Sequence, residues 1–143
     1  MPYQYLEEIA KADVAFEARG ATVEELFLAA TDATMNVMVA DLKTIAKRVT
    51  RTLQVKAETL EMLLFELLQE LIFYKDAERL LLRLEKIEIS CPGPDCSLRA
   101  EAVGEELNPE RHDLIVDVKA VTLHRYRVSK DERGWQATVI LDI

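Results

Sequence analysis

Glycine is scarce in this chain of 143 residues, with four glycines beside four prolines, two cysteines, two histidines and one tryptophan. Each shortage excludes something. A phosphate-cradling loop needs several glycines in a fixed pattern, and no such pattern, nucleophile elbow, zinc-protease helix or dinucleotide fingerprint is present. Ser90, Ser97 and Ser129 lie near turns, outside any triad context, and read as ordinary surface serines. Two cysteines are too few for a disulfide framework and supply half the ligands of a structural zinc site. His112 and His124 stand at spacings that match no zinc motif. The run Cys91-Pro92-Gly93-Pro94-Asp95-Cys96 therefore reads as a turn between strands, its thiols either reduced in a cytoplasm or paired if the organism is thermophilic.

Positive charge is also in deficit, with 18 Lys and Arg against 26 Asp and Glu and a net charge of -8. A protein that binds nucleic acid unaided displaces condensed counterions with Lys and Arg, so free RNA or DNA binding is disfavoured. Lys47, Arg48, Arg51 and Lys56 form a local basic cluster, but a strand with solvated polar positions explains them at least as well. Long hydrophobic runs are missing too. The most aliphatic stretch, Leu60 to Tyr74, is broken by Glu61, Glu66, Gln69 and Glu70, whereas a bilayer span needs about 20 mostly apolar residues. No basic start or apolar leader segment opens the chain, and the expected compartment is the cytoplasm, with no membrane contact.

What is present is a sequence that is half hydrophobic, enough for one core, and residues 1–143 are expected to form a single compact domain. Val14 to Arg19 alternates loosely and stops at Gly20, as a half-buried strand meeting a turn does, and an earlier strand is expected from about Tyr3. Thr22-Val23-Glu24-Glu25 has the form of a capping box, which starts a helix expected from Val23 to Met38. Arg48 to Ala57 alternates again, with Val49, Leu53 and Val55 on one side. Thr59 then caps a second helix. Its Leu60, Leu63, Leu64, Leu67, Leu68, Leu71 and Ile72 recur at helical spacing, and such a stripe packs on its own sheet more often than on a partner.

From about Arg79 strand character takes over, in Leu80 to Leu84, Ile87 to Ile89 and Leu98 to Ala102. Asn108 to His112 reads as an exposed loop. Val116 to Thr122 and Arg125 to Val128 are further extended segments, followed by a turn at Lys130 to Gly134 and a closing strand from Trp135 to Leu141. The fold class is α+β, with two helices packed on a largely antiparallel sheet.

One constellation carries chemistry. Asp13 opens the strand near the start, and Asp142 ends the closing strand just before Ile143 and its α-carboxylate. If the first and last strands are neighbours, three hard oxygen donors converge, a set that suits Ca²⁺ or Mg²⁺. Acidic residues at strand ends are more commonly just solvated. From residues alone the enzyme-class alternative is a metal-dependent hydrolase resting on these carboxylates.

The chain resembles the archease family over essentially its whole length. The residues that carry the likeness are Ala12-Asp13-Val14, Glu25-Leu26 and Ala29-Ala30, Leu63 to Ile72, Val118-Lys119-Ala120-Val121-Thr122-Leu123-His124, and Gly134 to Ile143. The resemblance implies a non-enzymatic accessory protein of tRNA splicing. Its partner would be an RtcB-type RNA ligase, whose guanylylation and multiple turnover it promotes, with RNA met only through that partner. It implies a divalent metal, calcium or magnesium, held by Asp13, Asp142 and Ile143, and an activating role for Lys119, with His124 a further candidate toward partner or nucleotide. A chaperone-like modulator of a tRNA methyltransferase is the alternative the family suggests. One departure stands out: many relatives have a histidine shortly before the early Ala-Asp-Val, where this chain reads Glu7 to Lys11, and Glu8 is the carboxylate placed to replace it.

Overall fold

The computed structural model describes residues 2–6 and 13–143, and among these described residues there are seven strands and two helices. Strands β1 (Tyr3–Leu6) and β2 (Asp13–Gly20) precede helix α1 (Val23–Met38), and β3 (Val49–Ala57) precedes helix α2 (Leu60–Glu78). Then come β4 (Leu80–Ser90), β5 (Cys96–Glu106), β6 (Ala120–Asp131) and β7 (Gly134–Asp142), with a short 3-10 turn at Leu42–Thr44. The α+β class stands. The strands form two antiparallel sheets where one was expected, a four-stranded β1-β2-β7-β6 and a three-stranded β3-β5-β4.

Local chemistry accounts for both helix starts. The Thr22 hydroxyl accepts from the Glu25 amide, while the Glu25 carboxylate takes the Ala21 and Thr22 amides at 2.8 and 3.4 Å, which satisfies the first free N–H groups of α1. Thr59 does the same for α2 through the Met62 amide. Helix α2 ends at Arg79, a non-glycine residue in the left-handed region at φ 55°, whose N–H bonds the Tyr74 carbonyl. The leucine stripe of α2 is core: Leu63, Leu64, Leu67, Leu68 and Leu71 are all fully buried, each such burial being worth about 2 kcal/mol over exposure.

Both sheets and both helices share one hydrophobic cluster. The sheets stay separate for a visible reason, since α2 caps the free edge of β6. The Val121 amide donates to Gln69 Oε1 at 3.0 Å, the Val128 amide to Glu61 Oε2 at 3.0 Å, and the Tyr126 hydroxyl to the Glu61 carbonyl. An edge strand whose amides are taken by a helix has little left for another strand.

Three expectations need correcting, and one open alternative is decided. Leu80–Leu84 and Ile87–Ile89 are one continuous strand, because a register shift between Leu84 and Lys86 absorbs the break in alternation. Val116 to Lys119 is not part of a strand, its one bond to the sheet among the described residues being that of the Lys119 amide to the Asp142 carbonyl, and β6 begins only at Ala120. The Asn108–His112 loop is exposed at Pro109, Glu110 and Arg111, but His112 is buried. Cys91 and Cys96 are joined as a disulfide across the β4–β5 turn. The basic cluster is largely neutralised, with Lys47 on Glu85, Arg48 on Glu105 and Arg51 on Glu78. Neither helix is long and apolar enough to cross a membrane.

Candidate metal centre

Strands β2 and β7 run antiparallel in a register that sets Asp13 directly opposite Asp142, with Ala120 of β6 on the other side of Asp142. Strand alternation decides where these side chains go. Phe16 and Ala18 of β2, with Ala137, Val139 and Leu141 of β7, belong to the shared core cluster, so Asp13 and Asp142 stand at the end of the opposite face, along which Ala15 and Ile140 are also buried. Directly opposed residues hold their Cβ atoms about 4.5–5.5 Å apart. The two carboxylates are therefore neighbours, partly exposed, with the small Ala120 on the β6 side of Asp142. Like charges directly opposed destabilise a sheet, and a divalent cation is the ligand that relieves this arrangement. The donor set fits a hard cation at two carboxylates, with Ile143 one residue on. Among the described residues no group of three or more His, Cys, Asp or Glu side chains is gathered anywhere. Glu8, the proposed substitute for the absent histidine, lies outside the described residues.

Lys119 is exposed, and its amide donates to the Asp142 carbonyl at 2.8 Å, which fixes it beside the pair. Helix α2 holds this segment from below. Lys75, almost wholly buried, spends its three ammonium protons on Asp117 Oδ1 at 2.5 Å, the Val118 carbonyl at 2.8 Å and Asp76. Burial works against its charge, yet the hydrogen bonds to Asp117 and Asp76 outweigh it and raise the pKa above the ordinary lysine value. His124 is not gathered with the carboxylates. It is exposed on a bulge of β6 between Thr122 and Arg127, next to Arg125 at φ 54°.

Sequence reasoning missed a second polar centre at the far end of β5. Glu105, only 5% exposed in its side chain, accepts from the Ala46 amide at 2.7 Å, from Arg111 at 2.6 Å and from His112 Nε2 at 3.0 Å, and Arg48 lies 3.3 Å away. Because His112 Nδ1 accepts from the Asn108 amide at 2.9 Å, Nε2 is the nitrogen that donates to Glu105. Burial alone raises the Glu105 pKa, but these donors overcome it and hold the carboxyl down at about 2. The only signal in the sequence was the polar pair itself, seven residues apart and silent about its burial.

A concavity of about 710 Å³ lies at the opposite end of β2 and β7, around Gly20, Arg133 and Trp135. Its acidic groups are already engaged, Glu25 with the start of α1 and Asp32 with Arg83 at 3.0 Å. It offers no free donor set comparable to the Asp13–Asp142 corner.

The fold and site together define a small α+β protein of two antiparallel sheets with a paired-carboxylate corner. A family model matches residues 3–143, that of the archease protein family (MTH1598/TM1083). The chain belongs to the archease family. It is 35% identical to the archease of Pyrococcus abyssi over 133 residues, 92% of this chain and 93% of that protein. With the archease of Methanosarcina mazei it shares 34% over 142 residues, 99% and 95% of the two chains. Among solved structures it is similar to protein 1598 of Methanobacterium thermoautotrophicum, with a TM-score of 0.84, 31% identity and 99% of each chain covered. An archease of Thermotoga maritima, described as a possible chaperone, has the same fold at a TM-score of 0.57 and 17% identity, covering 96% of this chain and 97% of that one.

Proposed function

We propose that this chain is a non-enzymatic activator of an RtcB-type tRNA-splicing ligase, acting on guanylylation of the ligase through an acidic corner that holds a divalent cation, calcium or magnesium. The observation that supports this is the direct cross-strand opposition of Asp13 and Asp142. These two carboxylates and the α-carboxylate of Ile143 would hold the cation. Bound there, it supplies positive charge toward nucleotide phosphates. Lys119, kept beside the pair by its bond to the Asp142 carbonyl, adds a mobile ammonium on the same corner. His124, farther along β6, has at most a contact with the partner.

The experiment is to add the protein with Mg²⁺ or Mn²⁺ and GTP to a cognate ligase and follow the ligase–GMP adduct. Faster adduct formation is expected, and Asp13→Ala, Asp142→Ala or removal of Ile143 should abolish it. Unchanged adduct kinetics with the intact protein refute the proposal. Product formed from GTP or RNA by the isolated protein would assign a hydrolase instead.

A further inference from the structure

Among the described residues seven large apolar side chains are exposed, and three are consecutive: Leu114 at 38%, Ile115 at 57% and Val116 at 39%. They sit in the strap between the His112 turn and β6, whose only strand-like contact is the bridge of Leu114 to Val39. Even so, the strap is tied down at both ends. The Ala40 amide donates to the Asp113 carbonyl and the Ile115 amide to the Met38 carbonyl, both at 2.9 Å. Lys75 grips Asp117 and the Val118 carbonyl, and the Lys119 amide bonds Asp142. Fixed at these points, the backbone cannot turn the three side chains into the core.

Runs of exposed consecutive aliphatics are avoided on a soluble surface unless they are used. A run held in place before binding loses little further entropy when it docks. Its surroundings say what it fits. Asp113 and Asp117, both exposed, bracket the run, Asp117 shared with the Lys75 ammonium, and beyond the single cation Lys119 lies the Asp13–Asp142 pair, which leaves the surroundings net acidic. RNA is excluded by that acidic frame. A second copy is disfavoured, because a two-fold contact sets this same acidic patch against itself.

We infer that Leu114–Val116 is the docking face by which this chain seats on its protein partner, in an apolar cleft edged by Lys or Arg. The contact lies on the same corner as Lys119 and Asp142, so docking there carries the carboxylate pair toward the partner's active site. That the partner is a ligase rests on the function proposed above.

The test uses the full chain and a purified cognate RtcB-type ligase, with binding measured by calorimetry and adduct formation followed in parallel. Ile115→Asp and the milder Ile115→Ser are both made, so that one serves if the other folds poorly. Melting and Ca²⁺ binding should match the unaltered protein. Affinity for the ligase should fall about tenfold or more, the loss expected when a central apolar anchor is removed. If the intact protein binds and both variants bind equally well, the docking face is overturned while the function stands. If the intact protein neither binds the ligase nor speeds the adduct, both fall. A concentration-dependent dimer abolished by Ile115→Asp would overturn the inference in favour of a second copy.

Discussion

Asp142→Asn should raise stability without metal and lower it with metal. The charges of Asp13 and Asp142 face each other across one strand pair. At a separation of about 5 Å, the repulsion is about 0.8 kcal/mol in bulk water and about 3 kcal/mol at the effective dielectric of a protein surface. Both groups are partly exposed, so the cost lies between these limits. The substituted side-chain amide removes the charge and leaves the main chain intact, including the carbonyl at position 142 that accepts from the Lys119 amide. In chelator, the substituted protein should melt about 2–12 °C higher, taking about 2–4 °C per kcal/mol for a chain of this size. Calcium at a hundredfold excess over its dissociation constant should stabilise the unaltered protein by about 2.7 kcal/mol, an increment the variant loses, so the order of the two melting temperatures reverses wherever the repulsion costs less than that. Scanning calorimetry in EGTA and in calcium reads both signs. A variant that melts lower in EGTA and gains the same increment from calcium would refute the idea that opposed carboxylates form the site.

Three further outcomes follow from the polar centres and the turn. The Glu105 carboxyl, held down at about 2, contributes stability that is complete above about pH 4.5 and is lost as pH falls toward 2; Glu105→Gln should flatten acid unfolding in that window and cost about 1–3 kcal/mol at neutral pH, measured by urea titration at several pH values. Lys75→Met strips the Val118 carbonyl of its donor and should cost about 1–3 kcal/mol. Since the Lys75 pKa is raised, that contribution is present at and below about pH 10.5 and fades above it, and hydrogen exchange should quicken over residues 117–121. Replacing Cys91 and Cys96 with serine opens a loop of sequence separation 5 that strand pairing already closes. The loss in a denaturant titration should stay below about 2 kcal/mol.

Much of the architecture was legible because it rests on local chemistry. The capping box at Thr22 and Glu25 and the cap at Thr59 mark helix starts within a few residues of themselves. The α2 leucines and the alternation of β3 report which face is buried by period alone. The same logic failed where pairing, not period, decides. Val116 to Lys119 alternates like a strand, yet Lys75 already holds the Val118 carbonyl and the Lys119 amide is spent on the Asp142 carbonyl. His112 sits in a turn rich in polar residues, and nothing nearby in sequence announces that Glu105 and Arg111 bury it.

By itself the sequence determined the helices, most strand positions and the α+β class, since each is encoded in side chains within one or two turns of each other. Tertiary structure alone decided that there are two sheets, that α2 seals the β6 edge, and that Asp13 lies across from Asp142. The reason is physical. Strand pairing is a contact between distant parts of the chain, and its register depends on every strand fitting the shared core, so no short stretch of residues contains it.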